Sequence, residues 1–217
     1  MILKVLPVGL LSVNCSLLIE EETSEVLVVD PGADAHRIME ELKPFKLVGI
    51  IATHGHIDHI GQVKTLKEAF DVPFYMHPKD SFLTRDTLWP SFERQIGANL
   101  PCPEPDIELK EGMEIRLGRE KLRVLHTPGH TPGLCCLYWE KGKVLIAGDL
   151  FFKGSVGRWD LPGGDLEALK RSIRRVFEEF EDDVLVICGH YEETTIGEER
   201  VKNPYLKLFT NSSLERE

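Results

Sequence analysis

Thr53-His54-Gly55-His56-Ile57-Asp58-His59 places three of the chain's eight histidines and one aspartate within six positions. Imidazole nitrogen and carboxylate oxygen are the ligand atoms that zinc and iron sites use. A single histidine on a strand is usually a satisfied core or surface residue. Four potential ligands so close together, with no compensating run of acids or amides, point to a metal. In extended backbone, side chains alternate with period two, so His54 and His56 share one side. Asp58 and His59 follow where the chain turns. That arrangement can hand two nitrogens to one metal, and an oxygen plus a nitrogen to a neighbour.

Three further candidates stand at strand ends. His130 lies in His126-Thr127-Pro128-Gly129-His130-Thr131-Pro132-Gly133, a loop stiffened by two prolines and loosened by two glycines. Asp149 ends the apolar run Val144 to Gly148, and His190 ends Val184 to Gly189 in the same way. A glycine directly precedes each of these ligands and His56, which lets backbone pack closely where ligands converge. One polar residue at the tip of an apolar strand is a weak signal. Two of them beside the histidine cluster form a strong one.

The order His-x-His-x-Asp-His, then His130, Asp149 and His190 on separate loops, resembles the metallo-β-lactamase fold superfamily. The resemblance runs from Val26–Asp30-Pro31-Gly32 to His190. It implies an α+β fold, a four-layer α/β/β/α sandwich, in one domain over residues 1–217. It also implies two divalent metal ions per chain, zinc foremost, with iron or manganese as alternatives. His54, His56 and His130 would hold one metal, Asp58, His59 and His190 the other, and Asp149 would bridge. An aspartate at 149 resembles the glyoxalase II branch rather than true β-lactamases, which commonly place cysteine there. His56 separates the chain from the flavodiiron branch, which has glutamate there.

Phe152 to Asp165, with Thr194-Thr195-Ile196-Gly197-Glu198-Glu199 and Asn203-Pro204, resembles the compact bacterial glyoxalase II-like hydrolases. Arg158 stands nine residues after Asp149, the spacing of a basic residue that helps hold glutathione in those enzymes. Lys153 is taken with it as a substrate-binding candidate. Two departures separate the chain from the glutathione enzymes. Asp160 replaces an aromatic, and only 27 residues follow His190, too few for their C-terminal helical extension.

The implied reaction is hydrolysis of an S-acyl thioester such as S-lactoylglutathione or a related small thioester. Metal binding lowers the pKa of water toward about 7, so a hydroxide held between two cations is a nucleophile at neutral pH. One metal would also polarise the carbonyl. The leaving thiol has a pKa of about 8.5 and needs little acid help. Asp58 and Asp149 would carry the catalytic role as ligands, with Asp58 also orienting the hydroxide. The alternative is a persulfide dioxygenase of the same superfamily, which Gly157-Arg158-x-Asp160 resembles. It would use one iron on His54, His130 and Asp149. Leu161-Pro162-Gly163-Gly164 favours the hydrolase.

The remaining polar residues take plainer roles. His126 alternates with core positions and is structural. His77 ends a strand, and His36 is solvated. Asp160 pins Arg158 or a loop amide, and Asp30 hydrogen-bonds a metal ligand from behind. Trp89 and Phe92 pack in the core, or line the pocket.

Elements to position these residues follow from apolar period and punctuation. Strands are predicted at Ile2–Val8, Ser16–Glu20, Val26–Asp30, 47–52, Val72–Met76, Met113–Leu117, Lys121–His126, Leu134–Trp139, Val144–Ala147 and Val184–Cys188. Helices are predicted at Ala33–Leu42, 60–70 and Leu166–Phe180, the last capped by Asp165. Residues 79–106 read as a helix or two plus a surface loop, and the tail from Glu198 as helical at most. The composition is globular, 42% hydrophobic and 29% charged, with a net charge of −10. An acidic surface argues against nucleic-acid or anionic-membrane partners. No apolar run is long enough to span a bilayer, and Pro7 interrupts the short apolar N-terminus. Five cysteines without a C-x-x-C pair read as reduced and buried, in a cytoplasmic protein.

Overall fold

The computed structural model describes residues 1–84, 95 and 97–210. Two six-stranded sheets face one another. The first holds β1 (Ile2–Val8), β2 (Val13–Glu20), β3 (Glu25–Val29), β4 (Lys46–Ile51), β5 (Phe74–Met76) and β6 (Ile107–Glu108), side by side in that order. The second holds β7 (Glu114–Leu117), β8 (Glu120–His126), β9 (Cys135–Trp139), β10 (Val144–Gly148), β13 (Leu185–Cys188) and β14 (Thr194–Thr195). Between β10 and β13 lies a small hairpin, β11 (Phe151–Phe152) and β12 (Ser155–Val156).

Helices cover both outer faces. α1 (Ala35–Leu42) and α3 (Val63–Phe70) bury Ile38, Leu42, Val63 and Leu66 against Leu17, Val26 and Val28 of the first sheet. α4 (Leu166–Glu179) buries Leu169, Ile173, Val176 and Phe177 against Leu125, Cys136, Leu145 and Val186 of the second. The inner faces meet through Leu18, Leu27, Val29 and Ile51 on one side and Leu122, Val124, Cys135, Leu137 and Ile146 on the other. This is the expected four-layer α/β/β/α sandwich. Central strands are buried on both faces, so β10 reads as a continuous apolar run rather than an alternating one, and β2 is buried throughout even at Asn14, Ser16 and Glu20. β10 and β13 pair in parallel, which requires a crossover, and α4 supplies it.

Local chemistry sets the element ends. The Asp165 carboxylate accepts from the Ala168 amide at 2.9 Å and caps α4. The predicted helix 60–70 is two pieces, α2 (Ile57–Ile60) and α3. The break falls at Gly61-Gln62, where the Gly61 carbonyl accepts from Asn99 N and Gln62 N donates to Pro31 O. β5 starts two residues later than expected, because Pro73 has no N–H and Phe74 N donates to the Asp106 side chain. β6 and β14 are two-residue strands that no period-two signal marks. A 3₁₀ helix spans Pro78–Thr84. Trp89 and Phe92, with most of the segment predicted as a helix or two, lie outside the described residues.

The tail forms α5 (Ile196–Lys202) and α6 (Pro204–Thr210), starting two residues before the expected Glu198, because Thr195 caps α5. Among the described residues no helix is long and apolar enough to cross a membrane. All five cysteines are free and buried. Cys135 faces the inter-sheet core and Cys136 the helix side, as expected of neighbours on one strand. Burial pushes the Cys136 and Cys188 thiols up to about 12, so neither is a thiolate at neutral pH.

Candidate metal centre

All seven predicted ligands arrive at one edge of the sandwich, each just past the end of a strand. His54, His56, Asp58 and His59 follow β4, His130 follows β8, Asp149 follows β10 and His190 follows β13. Their donor atoms form three overlapping groups: His54, His56 and His130; His54, His59 and Asp149; Asp58, His59 and His190. In each group the atoms lie within 4.8 Å of one another. His56 Nδ1 is 3.1 Å from His54 Nε2 and 2.9 Å from His130 Nε2. On the other side, His190 Nε2 is 3.4 Å from His59 Nε2 and 3.4 Å from Asp58 Oδ2. Asp149 stands between the two sides. Its Oδ2 is 3.5 Å from both His130 Nε2 and His190 Nε2, and its Oδ1 is 3.4 Å from His59 Nε2.

The outer ring nitrogens explain why the inner ones converge. His130 Nδ1 lies 2.7 Å from Arg158 O, and His190 Nδ1 2.9 Å from Leu11 O. A carbonyl only accepts, so each Nδ1 donates to it and each Nε2 is the nitrogen turned inward, free to offer a lone pair to a metal whenever the ring is neutral. His59 Nδ1 donates to Asp30 Oδ2 at 3.0 Å. His54 Nδ1 sits 3.1 Å from Thr53 Oγ1, which itself donates to Asp30 Oδ2 at 2.7 Å. The expectation that Asp30 supports a ligand from behind therefore holds for His59, and Thr53 extends it to His54.

Ring nitrogens turned toward one another must share a proton or hold a cation between them. Two buried polar atoms here, His56 Nε2 and Asp149 Oδ1, have no hydrogen-bond partner, a costly state for buried groups. Glycine makes the room: a Cβ on Gly189 would lie 2.0 Å from Asp149 Oδ1 and 3.0 Å from His59 Cε1. The donor set and the orphaned Asp149 Oδ1 fit divalent metal ions on both sides of Asp149.

Electrostatics differ across the site. Burial, reinforced by neighbouring imidazoles, holds His54 well below the ordinary 6.5 and lowers His56 to about 3. Burial also opposes charge on His59 and His190. There the carboxylates win: Asp149, Asp30 and Asp58 hold His59 well above 6.5, and Asp149 with Asp58 raises His190 to about 9. Burial would raise Asp58 and Asp149, yet the adjacent histidines, His59 foremost, hold both below the usual carboxylate value.

A cavity of about 500 Å³ opens onto these ligands. Asp58, His56, His130, Asp149 and His190 form its floor. Arg158 and Lys153, the two substrate-binding candidates of the sequence, both line it. Each is already paired, Arg158 through Nε and Nη2 to both oxygens of Asp160 at 2.9 Å, Lys153 to Glu192 at 3.0 Å. Asp160 thus takes the pinning role expected of it. His126 is structural in its contacts: Nε2 meets Pro132 O at 2.9 Å, and its ring stacks on His77 at 4.1 Å.

Sequence reasoning missed Asp80. Its side chain is fully buried and accepts from Gly55 N at 2.9 Å, Thr131 Oγ1 at 2.7 Å and Gly133 N at 2.6 Å. It fastens the loop carrying His54 and His56 to the loop carrying His130. Glu199 and Asn203 were noticed only as part of a motif. Glu199 accepts from Gly154 N at 2.8 Å, and Asn203 Nδ2 donates to Ser155 O at 2.9 Å. Both hold the β11–β12 hairpin, which forms one wall of the cavity. Thr53 stood directly beside the histidine motif, the one positional cue it offered.

Comparison with known proteins places these residues in context. Residues 8–190 match the model of the metallo-beta-lactamase superfamily. The hydroxyacylglutathione hydrolase GloC of Haemophilus influenzae is 36% identical over 209 residues, covering 94% of this chain and 97% of that protein. The crystal structure of the BLEG-1 B3 metallo-beta-lactamase superposes with a TM-score of 0.86 at 34% identity, covering 94% of this chain and 99% of that one. That of TTHA1623 in a di-iron-bound form superposes with a TM-score of 0.83 at 36% identity, covering 94% and 100%. With family model, relatives and fold in agreement over nearly its whole length, this chain belongs to the metallo-β-lactamase superfamily.

Proposed function

We propose that this protein is a dinuclear metallohydrolase that cleaves a small S-acyl thioester. The observation that carries the reading is the placement of Asp149 between two histidine groups at the floor of a substrate-sized cavity. Likeness to the hydroxyacylglutathione hydrolase supports the thioester, and likeness to a di-iron-bound protein supports two metals. His54, His56 and His130 would hold one ion, Asp58, His59 and His190 the other, and Asp149 would touch both. Bound divalent ions supply an acidified water and a Lewis acid for the carbonyl.

The chain's own residues do the rest. Asp58 lines the cavity and stays ionised beside His59 and His190, so it can accept a proton from the attacking water. The apolar wall of Leu11, Ile57, Phe152 and Val156 positions the acyl group and limits water at the reacting carbon. The leaving thiolate needs no dedicated acid, since a thiol has a pKa of about 8.5.

A mono-iron dioxygenase would use only His54, His130 and Asp149. The convergence of His56 Nδ1 on His54 and His130, and of His190 on Asp58 and His59, speaks for the fuller ligand set. Metal analysis of the purified protein, with thioester hydrolysis and oxygen uptake measured on the same sample, tests the choice. About two metals per chain with thioester cleavage is the expected result. One iron per chain, with oxygen consumed on glutathione persulfide, would overturn it.

A further inference from the structure

We infer that the cavity selects thioesters of small uncharged thiols over those of glutathione, with Tyr191 and the Arg158–Asp160 pair as its specificity-determining groups. The preference is argued from the cavity alone, whereas the reaction it serves rests on the thioesterase reading above.

The cavity walls are mainly apolar. Leu11, Leu83, Leu100, Phe152, Val156 and Leu161 line them among the described residues. Glutathione carries two carboxylates and one ammonium, so its recognition calls for unengaged cations. Among the described residues, the two cations in this lining, Lys153 and Arg158, each hold a carboxylate already. Asp160 grips the Arg158 fork with both oxygens from two residues away, so a substrate carboxylate must displace a tethered competitor.

Tyr191 is the second observation. It follows His190 and has a φ of 63°, a left-handed conformation that an L side chain adopts at a cost. The strain is held in place by its carbonyl, which accepts from Asn14 Nδ2 at 2.9 Å. Its ring is not spent on the core, since the residue is 73% exposed. It stands edge-on to Phe152 with centroids 5.8 Å apart, and Leu11, also in the lining, is 44% exposed. Two exposed apolar side chains in the lining of one concave apolar wall form a surface that an uncharged ligand would cover. Glu199, accepting from Gly154 N, and Asn203, donating to Phe152 O and Ser155 O, fix the hairpin bearing Phe152 before a ligand arrives.

The test compares two non-hydrolysable thioethers by calorimetry on the metal-loaded protein, S-butylglutathione and S-butyl-N-acetylcysteamine. The neutral thioether is expected to bind at least about tenfold more tightly. Equal or tighter binding of S-butylglutathione overturns the inference. Asp160→Asn should strengthen S-butylglutathione by about twofold to fivefold, the size of one exposed ion pair, and leave the neutral ligand unchanged. No gain would remove the ion pair as the barrier. Tyr191→Gly keeps the backbone conformation without its cost. It should weaken the neutral ligand about tenfold while thermal stability holds or rises. Unchanged binding would clear Tyr191 of the role. The butyryl thioesters of the same two thiols are assayed for hydrolysis in parallel. Discrimination between thioethers with neither thioester cleaved supports the cavity preference and defeats the reaction. Cleavage that favours the glutathione ester defeats the preference and upholds the reaction.

Discussion

Around His54 and His56, burial and neighbouring imidazoles keep the rings neutral. Around His59 and His190, a few ångströms away, Asp30, Asp58 and Asp149 outweigh burial and keep the rings protonated in the metal-free protein. A neutral imidazole is ready to bind a metal, while a protonated one must first lose its proton. If each half takes a metal, as proposed, filling the first would displace few protons near neutrality and filling the second would displace more. The two halves use similar residues, and the number of nearby carboxylates makes them chemically unequal. A carboxylate-rich half also brings more negative charge to its cation, which offsets the cost of deprotonation once the ion is bound.

The heaviest blow to this division is Asp149→Ala, which removes the residue that faces both halves. Activity is expected to fall by roughly 10²–10³-fold or more, the scale of losing one charge-stabilising group, and metal content to fall with it. Steady-state kinetics and metal analysis read both, and full retained activity would end the two-metal reading.

The next pair of variants separates the halves. Asp30→Asn weakens the support of His59 and, through Thr53, of His54. Asp80→Asn loosens only the loops of His54, His56 and His130. Losses of about tenfold to a hundredfold in metal affinity are expected. In a chelator competition Asp30→Asn should weaken both binding steps, and Asp80→Asn one of them. Identical profiles would show that the halves are not separately supported.

The smallest effect is in the metal-free protein's stability against pH. His190, raised to about 9, contributes stability fully below the unfolded value near 6.5, and that contribution is lost as pH rises through 9. His56, lowered to about 3, stays neutral when folded. It costs stability as pH falls from 6.5 toward 3, because the unfolded chain takes up the proton first. Melting temperature should therefore peak near 6.5 and fall by a few degrees on either side. A profile that rises or falls steadily from pH 5 to 9 would leave one half without its assigned character.

Much of this centre was legible because its signals are local or sit at the ends of apolar runs. His54 to His59 are adjacent in sequence, and Asp149 and His190 terminate strands whose burial on both faces makes them conspicuous. Asp30 was readable as a supporting carboxylate for the same reason. Asp80 was not, because its partners lie 25, 51 and 53 residues away and its own segment is a 3₁₀ helix with no periodic signal. The two-residue strands β6 and β14 were illegible for a related reason, since pairing across the sheet creates them. Arg158 and Lys153 do line the cavity, but sequence spacing alone gave only part of their state. The close Asp160 was visible beside Arg158, whereas Glu192 meets Lys153 from 39 residues along the chain.

Ligands drawn from both sheets also impose an order on assembly. His54 and His190 are separated by most of the chain, and the backbone joins their regions where Asn14 N donates to Gly189 O and Cys135 N donates to Thr53 O. A nascent chain that has made only the first sheet holds His54, His56, Asp58 and His59, a partial grip on a cation. The full coordination shell exists only after the second sheet has docked and the long loops between have closed. Metal capture then acts as a latch on a finished sandwich, slowing its opening rather than hastening its formation.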